Sequence, residues 1–225
     1  VFSAFQQLEY SKNYTDEKKR RHVIPTYMGL ISEIDHHIGR LMSFLDENNL
    51  TENTSIIFTS DHGDYLGDHY LGEKDLFHEP SVRIPLIIVD PEMPKKLRGT
   101  SEIRMAESVD IVPTIVDMMD GSFASNRMEG RSLVPLLYGE NLAWRDTVFA
   151  EIDYGDRGAR QILDKHPYEC RGYMIKNSQW KYIYWEGYRP QLYDLINDPN
   201  EFIDLGESQD HSEKLADFEK QLFFY

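Results

Sequence analysis

Ser60-Asp61-His62-Gly63-Asp64, followed by Asp68-His69 and then Lys74, concentrates carboxylates, imidazoles and an ammonium in one short stretch. A carboxylate and an imidazole that adjoin at a strand end can both turn toward one cation, and Gly63 lets the backbone leave without a side chain in the way. Metal binding is the chemistry this corner offers. Its alternative is a strand-end turn with a capping carboxylate for Asp61 and His62, and a solvated loop position for Lys74. Asp64, Asp68, His69 and His78 flank the corner and are candidates for supporting hydrogen bonds, with no role assigned to any of them. His36-His37 sits beside an apolar helical stripe, and adjacent helical residues point ~100° apart, so the pair reads as helix surface.

The elements that must position these groups follow from periodicity. Ile31, Ile34, Ile38, Leu41 and Leu45 recur at steps of three or four and predict an amphipathic helix closed by Asn48-Asn49. Upstream, Thr15 is placed to cap a helix opened by Asp16 and Glu17, which Pro25 interrupts early. Ser55 to Ser60 and Arg83 to Val89 read as strands buried on both faces, and helix followed by buried strand is the rhythm of a parallel α/β sheet. The polar, Gly-spaced loop between them is where ligands are expected, beyond the carboxyl ends of the strands. Ser108 to Met119 predicts a helix with Pro113 in its opening turn, and Arg131 to Tyr138 a short segment of undecided type. From Gly172 the pattern turns aromatic and alternating through Tyr173–Lys176, Trp180–Trp185 and Gln191–Leu195, which predicts a small antiparallel sheet. Leu215, Phe218 and Leu222 then mark a last amphipathic helix running toward Tyr225. Two regions are expected: 1–165, an α/β part, and 166–225, the small sheet with its terminal helix.

Composition excludes several classes. The 225 residues carry 24 Lys+Arg against 39 Asp+Glu, a net charge of −15, so the whole surface repels a phosphate backbone and nucleic acid is not an expected partner. Lys18-Lys19-Arg20-Arg21 accordingly reads as a solvated helix face. No apolar run approaches the ~18 residues of a membrane span, so no membrane partner is expected. Cys170 is the one cysteine, which rules out an intrachain disulfide framework and leads to an expected cytoplasmic location. The sequons at Asn13, Asn49 and Asn53 carry no weight in such a compartment. The chain opens on Val1 with no charged-then-apolar leader and ends abruptly, so it is expected to be a piece of something longer.

Tyr27 through Pro91 resembles the C-terminal half of a sulfatase of the alkaline phosphatase superfamily. The resemblance rests on Ile34-Asp35-His36-His37-Ile38-Gly39-Arg40-Leu41, Asn53 through Gly63, Gly67-Asp68-His69, Leu71-Gly72-Glu73-Lys74 and Arg83-Ile84-Pro85-Leu86. Later segments are similar too: Glu129-Gly130-Arg131-Ser132-Leu133, Gln191 to Leu195 and Asn197 to Glu201. His166 through Tyr173, with Cys170-Arg171 inside it, leans toward the phosphonate monoester hydrolase and arylsulfatase branch. The fold implied is the C-terminal part of an alkaline-phosphatase-like α/β sandwich with a small antiparallel sheet plus helix.

The resemblance implies that Asp61 and His62 are metal ligands and that Lys74 contacts the sulfuryl or phosphoryl oxygens. A cation and an ammonium can flank a tetrahedral oxyanion and stabilise the charge that shifts during ester cleavage. Imidazole suits Mn²⁺, Zn²⁺ or Fe²⁺, whereas Ca²⁺ prefers an all-oxygen shell, so manganese or zinc is favoured, with calcium as the alternative. The family's nucleophile segment, whose cysteine or serine is oxidised to formylglycine, has no match here, and Cys170 lacks the proline and arginine that segment requires. The expected function is hydrolysis of small sulfate or phosphonate/phosphate esters by a protein of which this is the C-terminal part, inactive without its N-terminal half. Other readings are a phosphomutase or phosphatase of the same superfamily, or a non-catalytic metal-binding or oligomerisation module. Homo-oligomerisation is compatible with each.

Overall fold

The computed structural model describes residues 1–122 and 125–224, so Tyr225 lies outside the described residues. The chain forms two compact units, neither contiguous in sequence: one of Val1–Ile24, His62–Ile84 and Asp146–Tyr225, the other of Pro25–Asp61 and Pro85–Arg145.

The first unit is built on a four-stranded antiparallel sheet in the order β1 (Val148–Asp153), β2 (Arg171–Lys176), β3 (Trp180–Trp185) and β4 (Gln191–Asp194). Three of these strands and the closing helix Ser212–Phe223 lie where alternation and periodicity predict them. The strand Val148–Asp153 was not anticipated, although it pairs in full register with Arg171–Lys176. One sheet face carries Ile175, Tyr182 and Leu192, which pack on Phe218 of the closing helix with the Tyr182 and Phe218 rings stacked at 6.3 Å. The other face carries Met174, Ile183, Trp185 and Tyr193, and on it lies the polar loop with Tyr65, Leu71, Leu76 and Phe77. Gly172 sits opposite Trp185, where a Cβ would meet the indole at 2.2 Å, so the aromatic lies across bare backbone.

Lys181 is on that second face and fully buried. Its ammonium donates to the Phe77 carbonyl at 2.7 Å and is ion-paired with Glu79 Oε1 at 2.8 Å and Glu201 Oε1 at 2.6 Å, and Lys176 also reaches Glu79. The Glu79 N–H closes the network by donating to Glu201 Oε2 at 2.6 Å. Burial pushes the Glu79 carboxyl up, but the two lysines outweigh it and hold the carboxyl below its usual range.

The second unit holds two strands, Ile56–Thr59 and Leu86–Val89, paired to each other. Here the expected parallel sheet is corrected: the pair is antiparallel, because the connection between the strands is an irregular excursion and not the crossover helix that parallel pairing requires. Burial on both faces is corrected too, since Phe58, Ile87 and Val89 are exposed and no other strand flanks the pair among the described residues. Asp110 anchors this unit. It is buried, takes a bidentate Arg145, and accepts the Glu107 and Arg131 N–H groups at 2.8 Å each. The helix Ile111–Met118 follows it as predicted, and the undecided segment contains the helical turn Val134–Leu137.

Two expectations about the long helix are also revised. It runs without a break over Glu17–Glu47, straight through Pro25, so the proline costs one backbone bond without ending the helix; the division between the two units falls there. Its start is capped by Asp16, whose Oδ1 accepts the Lys18 N–H at 2.8 Å, while the Thr15 hydroxyl is turned back to the Lys12 carbonyl. The C-terminal end is as predicted, with Asn49 in the left-handed region at φ 58°.

Lys181→Met keeps the apolar stem of the side chain but leaves Glu201 buried without its cation, so a stability loss of about 3–5 kcal/mol is expected. Urea unfolding followed by circular dichroism measures it, and a loss below about 1 kcal/mol would show that the sheet holds the loop by apolar packing alone.

Candidate functional site

The polar loop departs from its strand at Thr59, whose hydroxyl bonds the Pro85 carbonyl at 2.9 Å, and Ser60 reaches Asp61 Oδ1 at 3.4 Å. Asp61 is the last residue of one compact unit and His62 the first of the other, joined by their peptide bond. Beyond His62 the chain turns back on itself. The Tyr65 N–H bonds the Glu73 carbonyl and the Gly67 N–H the Leu71 carbonyl, each at 2.9 Å, which returns Lys74 to the neighbourhood of His62. Asp64 accepts the Leu66 N–H at 2.8 Å and so shapes the first bend. Leu66, His69, Tyr70 and Glu73 all have positive φ, as does Gly67 at 100°. Such a run of left-handed residues persists only where the surroundings over-determine the backbone.

The result is a defined pair. Lys74 Nζ lies 2.6 Å from His62 Nε2, and His62 Nδ1 lies 2.7 Å from the Gly63 carbonyl. A carbonyl only accepts, so Nδ1 carries the ring proton and Nε2 presents its lone pair, toward which the ammonium donates. A ring nitrogen held in that tautomer by a backbone carbonyl is the form in which imidazole ligates a metal. The carboxylate of Asp61, exposed and adjacent in sequence, is a second donor of suitable type. Among the described residues no three carboxylate, imidazole or thiol groups come together to hold an ion. Asp61 and His62 are thus two donors of suitable chemical type, fewer than the ~4 that a metal set needs.

Around this pair further groups tie the loop down. Asp75 is buried and accepts the Tyr10 hydroxyl at 2.6 Å, with Arg157 at 3.2 Å. His69 and His78 stack with ring centroids 4.2 Å apart, and the Tyr65 hydroxyl meets His78 Nδ1 at 2.8 Å. Burial, helped by His69 and Lys181 nearby, drops His78 to a pKa of about 2, and burial also lowers that of His69. Both imidazoles are thus neutral packing groups. Asp68 is exposed at the loop tip. Cys170 is buried with its thiol on the His166 carbonyl at 3.4 Å and its pKa raised by burial, which suits an inert small residue. His36 and His37 lie on the exposed helix surface, and so do Lys18, Lys19 and Arg21.

Two residues that shape the site were missed. Lys181 had a visible signal, a charge at an inward position of a strand otherwise made of aromatic and aliphatic residues. Ser81 had none: a buried serine in a helical turn looks like any other until its partners are known.

Residues 2–122 match the family described as Sulfatase, and residues 67–224 match N-sulphoglucosamine sulphohydrolase, C-terminal. Over 220 residues the chain is 34% identical to the multifunctional alkaline phosphatase superfamily protein PehA of Trinickia caryophylli, covering 96% of this chain and 42% of that protein. It is 32% identical to an arylsulfatase of Clostridium perfringens, covering 91% of this chain and 40% of that one. Its fold matches the crystal structure of the phosphonate monoester hydrolase of Agrobacterium radiobacter with a TM-score of 0.81 and 32% identity, over 88% of this chain and 40% of the other. The chain thus spans about two fifths of the length of these relatives.

The His78 geometry sets a pH dependence. Its folded pKa of about 2 lies below the ordinary 6.5, so below 6.5 the unfolded chain takes up a proton that the folded chain refuses. Stability is full above that pH and falls as the solution is acidified, by about 1.4 kcal/mol per pH unit from this group between about pH 6 and 3. In urea titrations across that range, His78→Gln should flatten the slope; an identical slope in the variant would refute the assignment.

Proposed function

Because this chain belongs to the sulfatase family, we propose that it is the C-terminal part of a metal-dependent hydrolase of sulfate or phosphonate/phosphate esters. The observation that carries this is the Lys74–His62 pair: an ammonium 2.6 Å from the lone-pair nitrogen of an imidazole whose other nitrogen is locked on the Gly63 carbonyl. In the proposal His62 Nε2 and the Asp61 carboxylate hold a divalent cation, with Mn²⁺ or Zn²⁺ favoured over Ca²⁺ by the nitrogen donor. Such a cation, when bound, supplies Lewis-acid stabilisation of the ester oxygens. Lys74 then contributes its charge to the oxygens of the transferred sulfuryl or phosphoryl group, and the same ammonium that donates to His62 turns to the substrate. The Gly63 carbonyl keeps the imidazole in its ligating tautomer throughout.

The remaining ligands and the formylglycine nucleophile are proposed to come from an N-terminal half of the same enzyme. The apolar stripe of the long helix supports this. Ile34 and Leu41 are each 54% exposed, and only Leu45, at 8%, is buried as the periodicity leads one to expect. An unpartnered stripe of that kind, together with the exposed Ile87 and Val89, is what a further layer of chain covers. A second copy of the chain is the competing occupant.

The test is an assay with an aryl sulfate and a phenyl phosphonate ester of this chain alone and of the protein that includes the N-terminal half, with metal content measured by elemental analysis. Turnover is expected only from the longer protein, and turnover by the chain alone would contradict the split site. In the active protein, Lys74→Ala should lower kcat by about 10²–10³-fold, while His62→Ala should remove the metal; a metal stoichiometry unchanged in His62→Ala would end the ligand assignment.

A further inference from the structure

We propose that Ser81 is the positioning residue that sets Lys74 against His62, an assignment resting on the reading of those two as the reacting-site groups. Ser81 is buried in the helical turn Glu79–Val82 and uses its polar groups in three directions. Its N–H donates to the His78 carbonyl at 2.9 Å, its carbonyl accepts the Gly63 N–H at 2.7 Å, and its hydroxyl donates to the Lys74 carbonyl. The two segments it joins are the one that leaves His62 and the one that arrives at Lys74. At one end the approach is close enough to demand glycine, since a Cβ on Gly63 would lie 2.0 Å from the Pro80 carbonyl oxygen.

A link of this kind is needed because the loop has little regular structure of its own. Between His62 and Lys74 the backbone passes through four non-glycine residues in left-handed conformation, and no strand or helix of ordinary length spans them. The turn Glu79–Val82 is itself held, through Glu79, to the lysines of the sheet. Ser81 therefore transmits a fixed position from the sheet to both site segments. Without the hydroxyl, the Lys74 backbone loses its tie to that turn while the Gly63 tie, made by backbone atoms, stays. The side chains would then separate at Lys74 and not at His62, and a displacement of even about 1 Å at a group that contacts the transferred oxygens is costly to rate.

The 225-residue chain itself carries the test, by ¹⁵N NMR of the His62 ring. Ser81→Ala should shift the Nε2 resonance toward its position in Lys74→Met, where the ammonium is gone, while Nδ1 on the Gly63 carbonyl keeps its wild-type value. Ser81→Thr, which retains the hydroxyl, should keep the wild-type Nε2 signal. Should Ser81→Ala fail to fold, Ser81→Cys, nearly isosteric with a far weaker donor, is examined in the same way. A wild-type Nε2 signal in the hydroxyl-free variant, or a Ser81→Thr indistinguishable from it, overturns the proposal. In the active longer protein, kcat should fall about 10-fold or more with KM held within about 2-fold, the pattern of an interaction made in the transition state. The two proposals fail separately: an unchanged ring signal sinks the role of Ser81, whereas a shifted signal in a protein that hydrolyses neither ester leaves Ser81 in place and sinks the hydrolase.

Discussion

A buried ammonium holds the first unit together. Lys181 leaves its strand fully buried and meets Glu79 and the Phe77 carbonyl on the segment that follows Lys74, and Glu201 beyond the last strand of the sheet. Desolvating a charge this completely is tolerated only when it is paired, so the ammonium ties the loop to the sheet through its carboxylate and carbonyl partners. An apolar contact would permit sliding. The ion network adds a directional constraint to the apolar packing, because displacing the loop separates a buried charge from its partners.

Everything nearer the chemistry inherits that position. Glu79 opens the short turn that contains Ser81, Ser81 touches the backbone at Gly63 and at Lys74, and those two points bracket the imidazole and ammonium that face each other. The stacked His69 and His78 and the Tyr65 hydroxyl fill the space behind the loop with neutral aromatic groups. They let the backbone hold left-handed conformations at Leu66, His69, Tyr70 and Glu73 that it would not keep in isolation. Rigidity is thus imported from the sheet and spent at a site that has almost no regular structure.

The second unit has its own anchor in Asp110, but it leaves much of its apolar surface open. The helix stripe at Ile34 and Leu41 and the strand residues Ile87 and Val89 face solvent in this chain. Periodicity reports which side of a helix is meant to be covered and says nothing about whether the cover belongs to the same stretch of sequence. The matched relatives are more than twice as long as this chain.

Local pattern accounts for much of what was legible. Alternation at Tyr173–Trp185 and Gln191–Leu195 located three strands, steps of three and four located the long and the terminal helices, and of the corner residues singled out the structure brings His62 and Lys74 together. Other features were out of reach for physical reasons. Whether Pro25 ends a helix depends on the flanking turns, which continued past it; the strand at Val148–Asp153 needed its partner at Arg171–Lys176 to be seen; and antiparallel pairing of Ile56–Thr59 with Leu86–Val89 depends on the path of the loop between them. The sequence by itself determined which side chains are donors of a type that suits a cation, because residue type and order decide donor chemistry. Only the tertiary structure decided that His62 shows its Nε2 to Lys74 and that Ser81 and Lys181 hold them so, because a tautomer and a distance are set by atoms that are neighbours in space and strangers along the chain.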